Sequence, residues 1–255
     1  MLLCIDIGNT HIVLGVMEGE RILRTSRIAT DRNKTKDEYA LLLKGILDLH
    51  DMDSGAFKGA IVSSVVPDIT AYLAAAAETV TGKKALIVGK GVKTGVNILI
   101  DNPAEAGSDL VVAAAGALSK YEPPMILVDL GTATTIFAID RNGSFRGGAI
   151  TAGVKLGLNA LSGGTSQLPF IRLDAPKKAI GTNTVDSMQS GVVLGAASMI
   201  DGMVERFEAE LGDRCTIIAT GGLAPVIIPN CRREMIVDDD LILRGLNRIW
   251  EKNAK

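Results

Sequence analysis

Aromatic residues are scarce: one Trp, three Tyr and five Phe amount to 4% of 255 residues. That argues against the stacked aromatic platforms on which proteins hold single-stranded nucleic acid. Three cysteines in a chain this long exclude a disulfide scaffold and suit a reducing compartment. Two histidines leave no cluster with zinc spacing and no defensible Ser–His–Asp arrangement. Neither sign of charge dominates, with 27 Lys and Arg against 29 Asp and Glu, so no broad polycationic surface for nucleic acid is expected. No run approaches the roughly 20 apolar residues that span a bilayer. The apolar start MLLCIDIGNTHIVLGVM lacks a basic leader and carries Asp6, Asn9 and His11, so it reads as a buried strand of a cytoplasmic protein. The familiar nucleotide motifs are missing too. Gly89–Thr94 satisfies neither G-x-x-x-x-G-K-[ST] nor G-x-G-x-x-G, and the protein-kinase H-R-D and D-F-G are absent.

What is present is 47% hydrophobic residues and 28 glycines, the mark of an α/β protein with tight turns and enough chain for one large or two medium domains. Residues 2–7 and 11–17 read as a hairpin, with a third strand at 21–28 and a helix from Lys36 to 50. GAIVSSVV at 59–66 reads as a buried strand, followed by a helix at 68–80 and short strands at 84–89 and 96–100. Gly107-Ser108-Asp109 introduces another helix, and Glu122-Pro123-Pro124 marks a hinge. Strands at 125–130, 136–140 and 144–150 follow, the last two joined by an Asn142-Gly143 turn. Residues 153–166 are a Gly- and Ser-rich stretch. A long helical region over 184–211, a strand at 215–220 and a terminal helix over 238–252 complete the reading.

The pattern is a duplication. A strand, an acidic D-x-G-x-T-like turn and a second strand occur at residue 2 and again at residue 125, roughly half the chain apart. That predicts two similar lobes, 1–122 and 123–255, facing each other across a cleft. Asp6-Ile7-Gly8-Asn9-Thr10 reads either as an ordinary polar hairpin tip or as a phosphate-binding turn. A carboxylate ending a buried strand needs a cation, a donor or water, and glycine lets a phosphate approach the backbone. Asp129-Leu130-Gly131-Thr132 repeats the feature, so the pair could hold a metal–triphosphate from both sides. Gly221-Gly222, after CTIIAT, leaves room for a ligand at a strand-to-helix corner. Asp109 reads equally as a helix N-cap and as a general base accepting a proton from an alcohol.

The ordered set DIGNTHIV (6–13), DNPAEAGSD (101–109), DLGTATT (129–135), GGAITAGVKLGLNAL (147–161), TSQLP (165–169), IGTNTVDSMQSGVVLG (180–195) and ATGGLA (219–224) resembles type III pantothenate kinase along the full chain. That family belongs to the acetate and sugar kinase/Hsp70/actin superfamily. The resemblance implies two ribonuclease-H-like lobes, a homodimer whose acceptor site is completed at the interface, and ATP-dependent phosphorylation of pantothenate, the first step of coenzyme A synthesis. It places Asp6, Ile7, Gly8, Asn9, Thr10, His11, Ile12 and Val13 in the ATP phosphate loop, with Asp6 near Mg²⁺ and Thr132 also on ATP. It gives Asp129 a monovalent cation, K⁺ or NH₄⁺. Gly107, Ser108, Asp109, Leu110 and Thr184 would line the pantothenate site, with Asp109 as base. The chain departs from the family at Leu110, where Arg is usual, at Ala152-Gly153, where Pro-Gly is usual, and at Ile100, which some members replace by an aromatic residue. Leucine cannot pair with a carboxylate or phosphate as a guanidinium does. This motivates two alternatives: a non-catalytic nucleotide-binding regulator of the same fold, and a kinase for another small alcohol.

Overall fold

The computed structural model describes residues 1–254. The chain opens with β1 (Leu2–Ile7), β2 (His11–Glu18) and β3 (Arg21–Ala29), an antiparallel meander. Helix α1 (Lys36–Leu49) starts at a reciprocal cap: the Glu38 N–H donates to the Thr35 hydroxyl, and the Glu38 carboxylate accepts from the Thr35 N–H. Next come β4 (Gly59–Ser64), α2 (Pro67–Thr81), β5 (Ala85–Ile87), the short β6 (Asn97–Ile98) and α3 (Ser108–Leu118). The second half has β7 (Met125–Leu130), β8 (Ala133–Ile139), β9 (Ser144–Ala152), α4 (Val154–Gly163), α5 (Thr184–Gln189), α6 (Gly195–Leu211), β10 (Thr216–Thr220), α7 (Ala224–Ile227), β11 (Ile236–Val237) and α8 (Leu241–Asn253).

Two sheets result. The first has the order β3-β2-β1-β4-β5 and the second β11-β10-β7-β8-β9-β6. Apart from β6, the second repeats the first: an antiparallel three-strand meander whose first strand pairs in parallel with a later one. The inferred duplication is therefore present in strand order, pairing sense and the acidic hairpins.

The described residues divide into two compact units, 1–96 with 102–120 and the stretch from 240 onward, and 97–101 with 121–239. This differs from a single boundary at 122/123 by two residues at the boundary itself and in two longer segments, 97–101 and the C-terminal helix, each with a packing reason. Helix α8 buries Leu243, Leu246 and Ile249 with Leu2, Cys4 and Ile61 of the first sheet. Strand β6 pairs in parallel with β9, Asn97 opposite Ser144, and the Asn97 amide donates to the Ser144 hydroxyl at 2.9 Å.

Alternation along β1 decides which way Asp6 faces. Leu3, Ile5 and Ile7 enter the core beneath α1 and α2, while Leu2 and Cys4 enter the core with α3 and α8. With period two, Asp6 therefore lies on the α3/α8 face. In the second unit Ile126, Val128 and Leu130 pack with α6, so Asp129 ends the opposite face of β7.

Two local readings change. Residues 153–166 contain helix α4, whose Val154, Leu158 and Ser162 form a buried i, i+4, i+8 face between glycines. The helical region 184–211 is interrupted by a π-helical turn over Ser190–Leu194. Among the described residues no helix is long and apolar enough to cross a membrane.

Candidate active site

In the first unit, Asp6 ends β1 half-buried, with Val13 as its antiparallel partner and Ser63 as its parallel partner. Ser63 is fully buried and donates to the Ser108 hydroxyl at 3.3 Å; Ser108 in turn donates to the Ser64 carbonyl at 2.8 Å. This relay ties the start of α3 to the strand end beside Asp6. Asp109 follows immediately, on the α3 that packs against the same sheet face as Asp6. A Cβ at Gly107 would stand 2.5 Å from the Asp109 carboxylate, so glycine there makes its room.

Asp109 is the second residue of α3, so it is not the N-cap of one of its two sequence readings; that place falls to Gly107, which makes no side-chain cap bond. The Asp109 Oδ1 accepts the Leu110 N–H at 2.8 Å, one of the orphan donors of the first helical turn. Burial nonetheless pushes its carboxyl above the ordinary carboxylate range, against the lowering effect of that hydrogen bond. The result is a half-buried carboxylate with raised proton affinity, the tuning expected of a general base.

The 8–11 turn is tightly pinned. The Gly8 N–H donates to the His11 carbonyl at 3.0 Å, and the Thr30 hydroxyl donates to the Gly8 carbonyl at 2.7 Å. Asn9, Thr10 and His11 are exposed at the tip. Ile7 and Ile12 are wholly buried in the α1/α2 core, and Val13 packs against the α3/α8 core. Only the backbone of Ile7 and Ile12 is available to a ligand. Sequence reasoning passed over Arg32, which donates to the Asn9 side chain at 3.2 Å and stands 3.7 Å from Asp68. A basic residue just after β3, the strand neighbouring the hairpin, was the available signal.

In the second unit Asp129 is half-buried and Thr132 is exposed at the β7–β8 turn. Asp129 lies opposite Thr135 on β8 and Thr220 on β10. Gly221 follows with φ +96°, a left-handed conformation that glycine adopts freely. A Cβ there would also come within 2.6 Å of the Asp129 carboxylate and the Leu130 backbone. The Gly221 corner is thus built around Asp129. Thr184 is elsewhere in this unit: it begins α5 behind the Asn183 cap and lines an open groove of about 690 Å³ with Leu161, Gly181 and Ser187.

The cysteines take no part. Cys4 and Cys215 are buried, and burial pushes the Cys215 thiol to about 11 and the half-buried Cys231 thiol to about 12. Cys4 is raised further by the same cause. None is a thiolate near neutral pH.

Both the sequence and the fold have counterparts among known proteins. A sequence profile of the type III pantothenate kinase family matches residues 2–206. A type III pantothenate kinase of an Exiguobacterium species is 42% identical over 255 residues, covering all of both chains. The one from Geobacter sulfurreducens is 41% identical over the same length, again covering all of both chains. Among solved structures, the activator of 2-hydroxyisocaproyl-CoA dehydratase from Clostridium difficile with bound ADPNP superposes with a TM-score of 0.59. It is 14% identical, and the match covers 97% of this chain and 92% of that one. That likeness concerns the fold alone, an α/β architecture with two sheets. With a profile across most of its length and relatives above 40% identity end to end, this chain belongs to the type III pantothenate kinase family.

Proposed function

We propose that ATP-dependent phosphorylation of pantothenate, the family's activity and the first step of coenzyme A biosynthesis, is carried here by Asp109 as base. The observation that supports this most is its half-buried carboxylate of raised proton affinity on the sheet face that Asp6 shares. Gly107, Ser108 and Leu110 shape the acceptor side, together with Thr184. Asp109 accepts the proton of the primary hydroxyl as that oxygen bonds to the γ-phosphorus. The bond from the γ-phosphorus to the bridging oxygen breaks, and ADP leaves. Such a transition state is loose, so positioning and charge neutralisation supply most of the acceleration.

The 6–13 hairpin and Thr132 hold the ATP phosphates. Asn9, Thr10 and His11 act through side chain and backbone, Ile7 and Ile12 through backbone alone. Arg32, at the tip, supplies the positive charge that a P-loop lysine gives elsewhere. Arg32→Ala is expected to raise the ATP KM about fivefold at low salt, the scale of an exposed ionic contact of about 1 kcal/mol. Steady-state kinetics at two salt concentrations would check this.

Among the described residues no three His, Cys, Asp or Glu side chains gather as a metal-binding group. A lone Asp6 suits Mg²⁺, which usually takes one or two carboxylates and completes its shell with water and phosphate oxygens. Bound Mg²⁺ would neutralise phosphate charge. Asp129 suits K⁺ or NH₄⁺: it offers one carboxylate, and the Thr135 hydroxyl opposite it is buried without a protein partner.

The homodimer belongs to the same reading. Ile150, Phe170 and Ile180 are 75%, 77% and 82% exposed in the second unit, large apolar side chains of the kind that a second copy would cover. The three free cysteines suit the cytoplasm. Neither nucleic acid nor membrane is a partner in this reading.

The decisive experiment is coupled ADP release by the purified protein. Pantothenate-dependent ADP formation is expected, roughly tenfold slower when Na⁺ replaces K⁺, which corresponds to about 1.4 kcal/mol. ADP release driven only by another alcohol would reassign the acceptor, and equal rates in both cations would remove the role given to Asp129.

A further inference from the structure

Buried hydroxyls without a hydrogen-bond partner are uncommon, because each forfeits its hydration. Neighbouring Thr134 and Thr135 on β8 both carry one. They face opposite ways. Thr134 is the register partner of Leu130 and shares the α6 core face. Thr135 is the register partner of Asp129, so its side chain stands beside that carboxylate, with about 4.5–5.5 Å between the Cβ atoms of such a pair. On the other side of Asp129, in the same register row, lies Thr220, 6% exposed. One carboxylate flanked by two hydroxyl-bearing side chains thus ends this face of the sheet.

The duplication supplies an internal comparison. The places equivalent to Thr135 and Thr220 in the first unit are Val13 and Ser63, beside Asp6. Valine has no oxygen, and the Ser63 hydroxyl is spent on Ser108. Packing therefore tolerates an apolar β-branched residue at this place, and the Thr135 hydroxyl is an addition specific to Asp129. A dehydrated monovalent cation needs several oxygen donors but little negative charge. A carboxylate with a neutral hydroxyl beside it supplies two of them, whereas a metal at Asp6 would take its remaining oxygens from phosphate and water.

We infer that Thr135 is a positioning residue for a monovalent cation at Asp129, its buried hydroxyl supplying a neutral oxygen that the protein does not otherwise use. The inference rests on the Asp129 reading given above. NH₄⁺ would donate a hydrogen bond to that oxygen; K⁺ would be coordinated by it.

The test is thermal unfolding of the full chain with Mg·ADP, titrated with KCl against choline chloride at constant ionic strength. Wild-type protein and the Thr135→Val, Thr135→Ser and Asp129→Asn variants are compared. K⁺ is expected to raise the wild-type melting temperature above its value in choline. In Thr135→Val the K⁺ concentration for half the effect rises roughly tenfold, at the low end of what partners of a metal ligand usually contribute. In choline the same variant melts no lower than wild type, since removing an unsatisfied buried hydroxyl costs nothing in the empty site. Thr135→Ser keeps the wild-type response. A merely structural threonine would lower the melting temperature in both salts and leave the K⁺ response alone, which would overturn the inference. A wild-type response that Asp129→Asn abolishes but Thr135→Val leaves intact overturns the role of Thr135 while sparing that of Asp129. No K⁺ response in wild type overturns both.

Discussion

Asp109→Asn is expected to lower pantothenate-dependent turnover by about 10²- to 10⁴-fold, the range for loss of a positioned general base, while the affinity for ATP is unchanged. It is also expected to leave the protein at least as stable at pH 7. Burial raises the native carboxyl above its ordinary value of 3.8. A carboxyl that binds its proton more tightly when folded favours the native state most below its unfolded pKa. That stability is lost as pH rises through the folded pKa. At pH 7 the wild-type protein therefore bears the cost of an ionised, half-buried Asp109, and the neutral amide does not. Its Oδ1 can still accept the Leu110 N–H. Melting curves should show an advantage for the variant at pH 7 that shrinks toward pH 4. The acid limb of the wild-type rate profile should lie above the ordinary carboxylate value, because a protonated Asp109 cannot accept the hydroxyl proton. Turnover within tenfold of wild type would remove the base assignment. A lower melting temperature at pH 7 would mean that the extra strength of a charged acceptor for the Leu110 N–H outweighs the cost of burying that charge.

The residues of that prediction were legible because their cues are local. Asp6, Asp109 and Asp129 each end or begin an apolar run with a glycine two residues away, and period-two or helical spacing fixes the elements around them. The antiparallel meanders were readable for the same reason, their strands being joined by short turns. What escaped depends on partners distant in the chain. β6 has two residues, and its place in the second sheet is set by pairing with Ser144 and Phe145. α4 hides its buried face among glycines that lower helix propensity, and packing overrides them. Arg32 lies in a polar loop whose meaning appears only when β3 brings it beside Asn9. Thr135 reads as an ordinary strand threonine until its register partner is known to be Asp129. Sequence period tells which face a side chain occupies, but not which strand comes to lie beside it.

That limit bears most on α8, which lies beyond the residues matched by the family profile yet completes the unit that holds Asp109. Helices α3 and α8 approach so closely that each places a glycine against the other's backbone. A Cβ at Gly116 would lie 2.0 Å from the Leu241 carbonyl oxygen, and one at Gly245 would lie 1.9 Å from that of Val112. Backbone cannot swing aside as a side-chain tip can, so Gly245→Ala must separate the helices. The expected cost is about 3 kcal/mol, the upper part of the usual overpacking range, or a melting temperature lowered by roughly 6–12 °C for a chain of this size. Gly202, inside α6, has nothing within 4 Å of its Cβ position, so Gly202→Ala should instead stabilise by about 0.5–1 kcal/mol through helix propensity. Opposite shifts from the same chemical change would locate the effect in helix separation. Because α3 carries Asp109 at its start, Gly245→Ala should also lower turnover in the fraction that remains folded at 25 °C. Gly245→Ala melting with wild type would show that the helices can part at no cost, and the position of Asp109 would then have to be set by the Ser63–Ser108 relay alone.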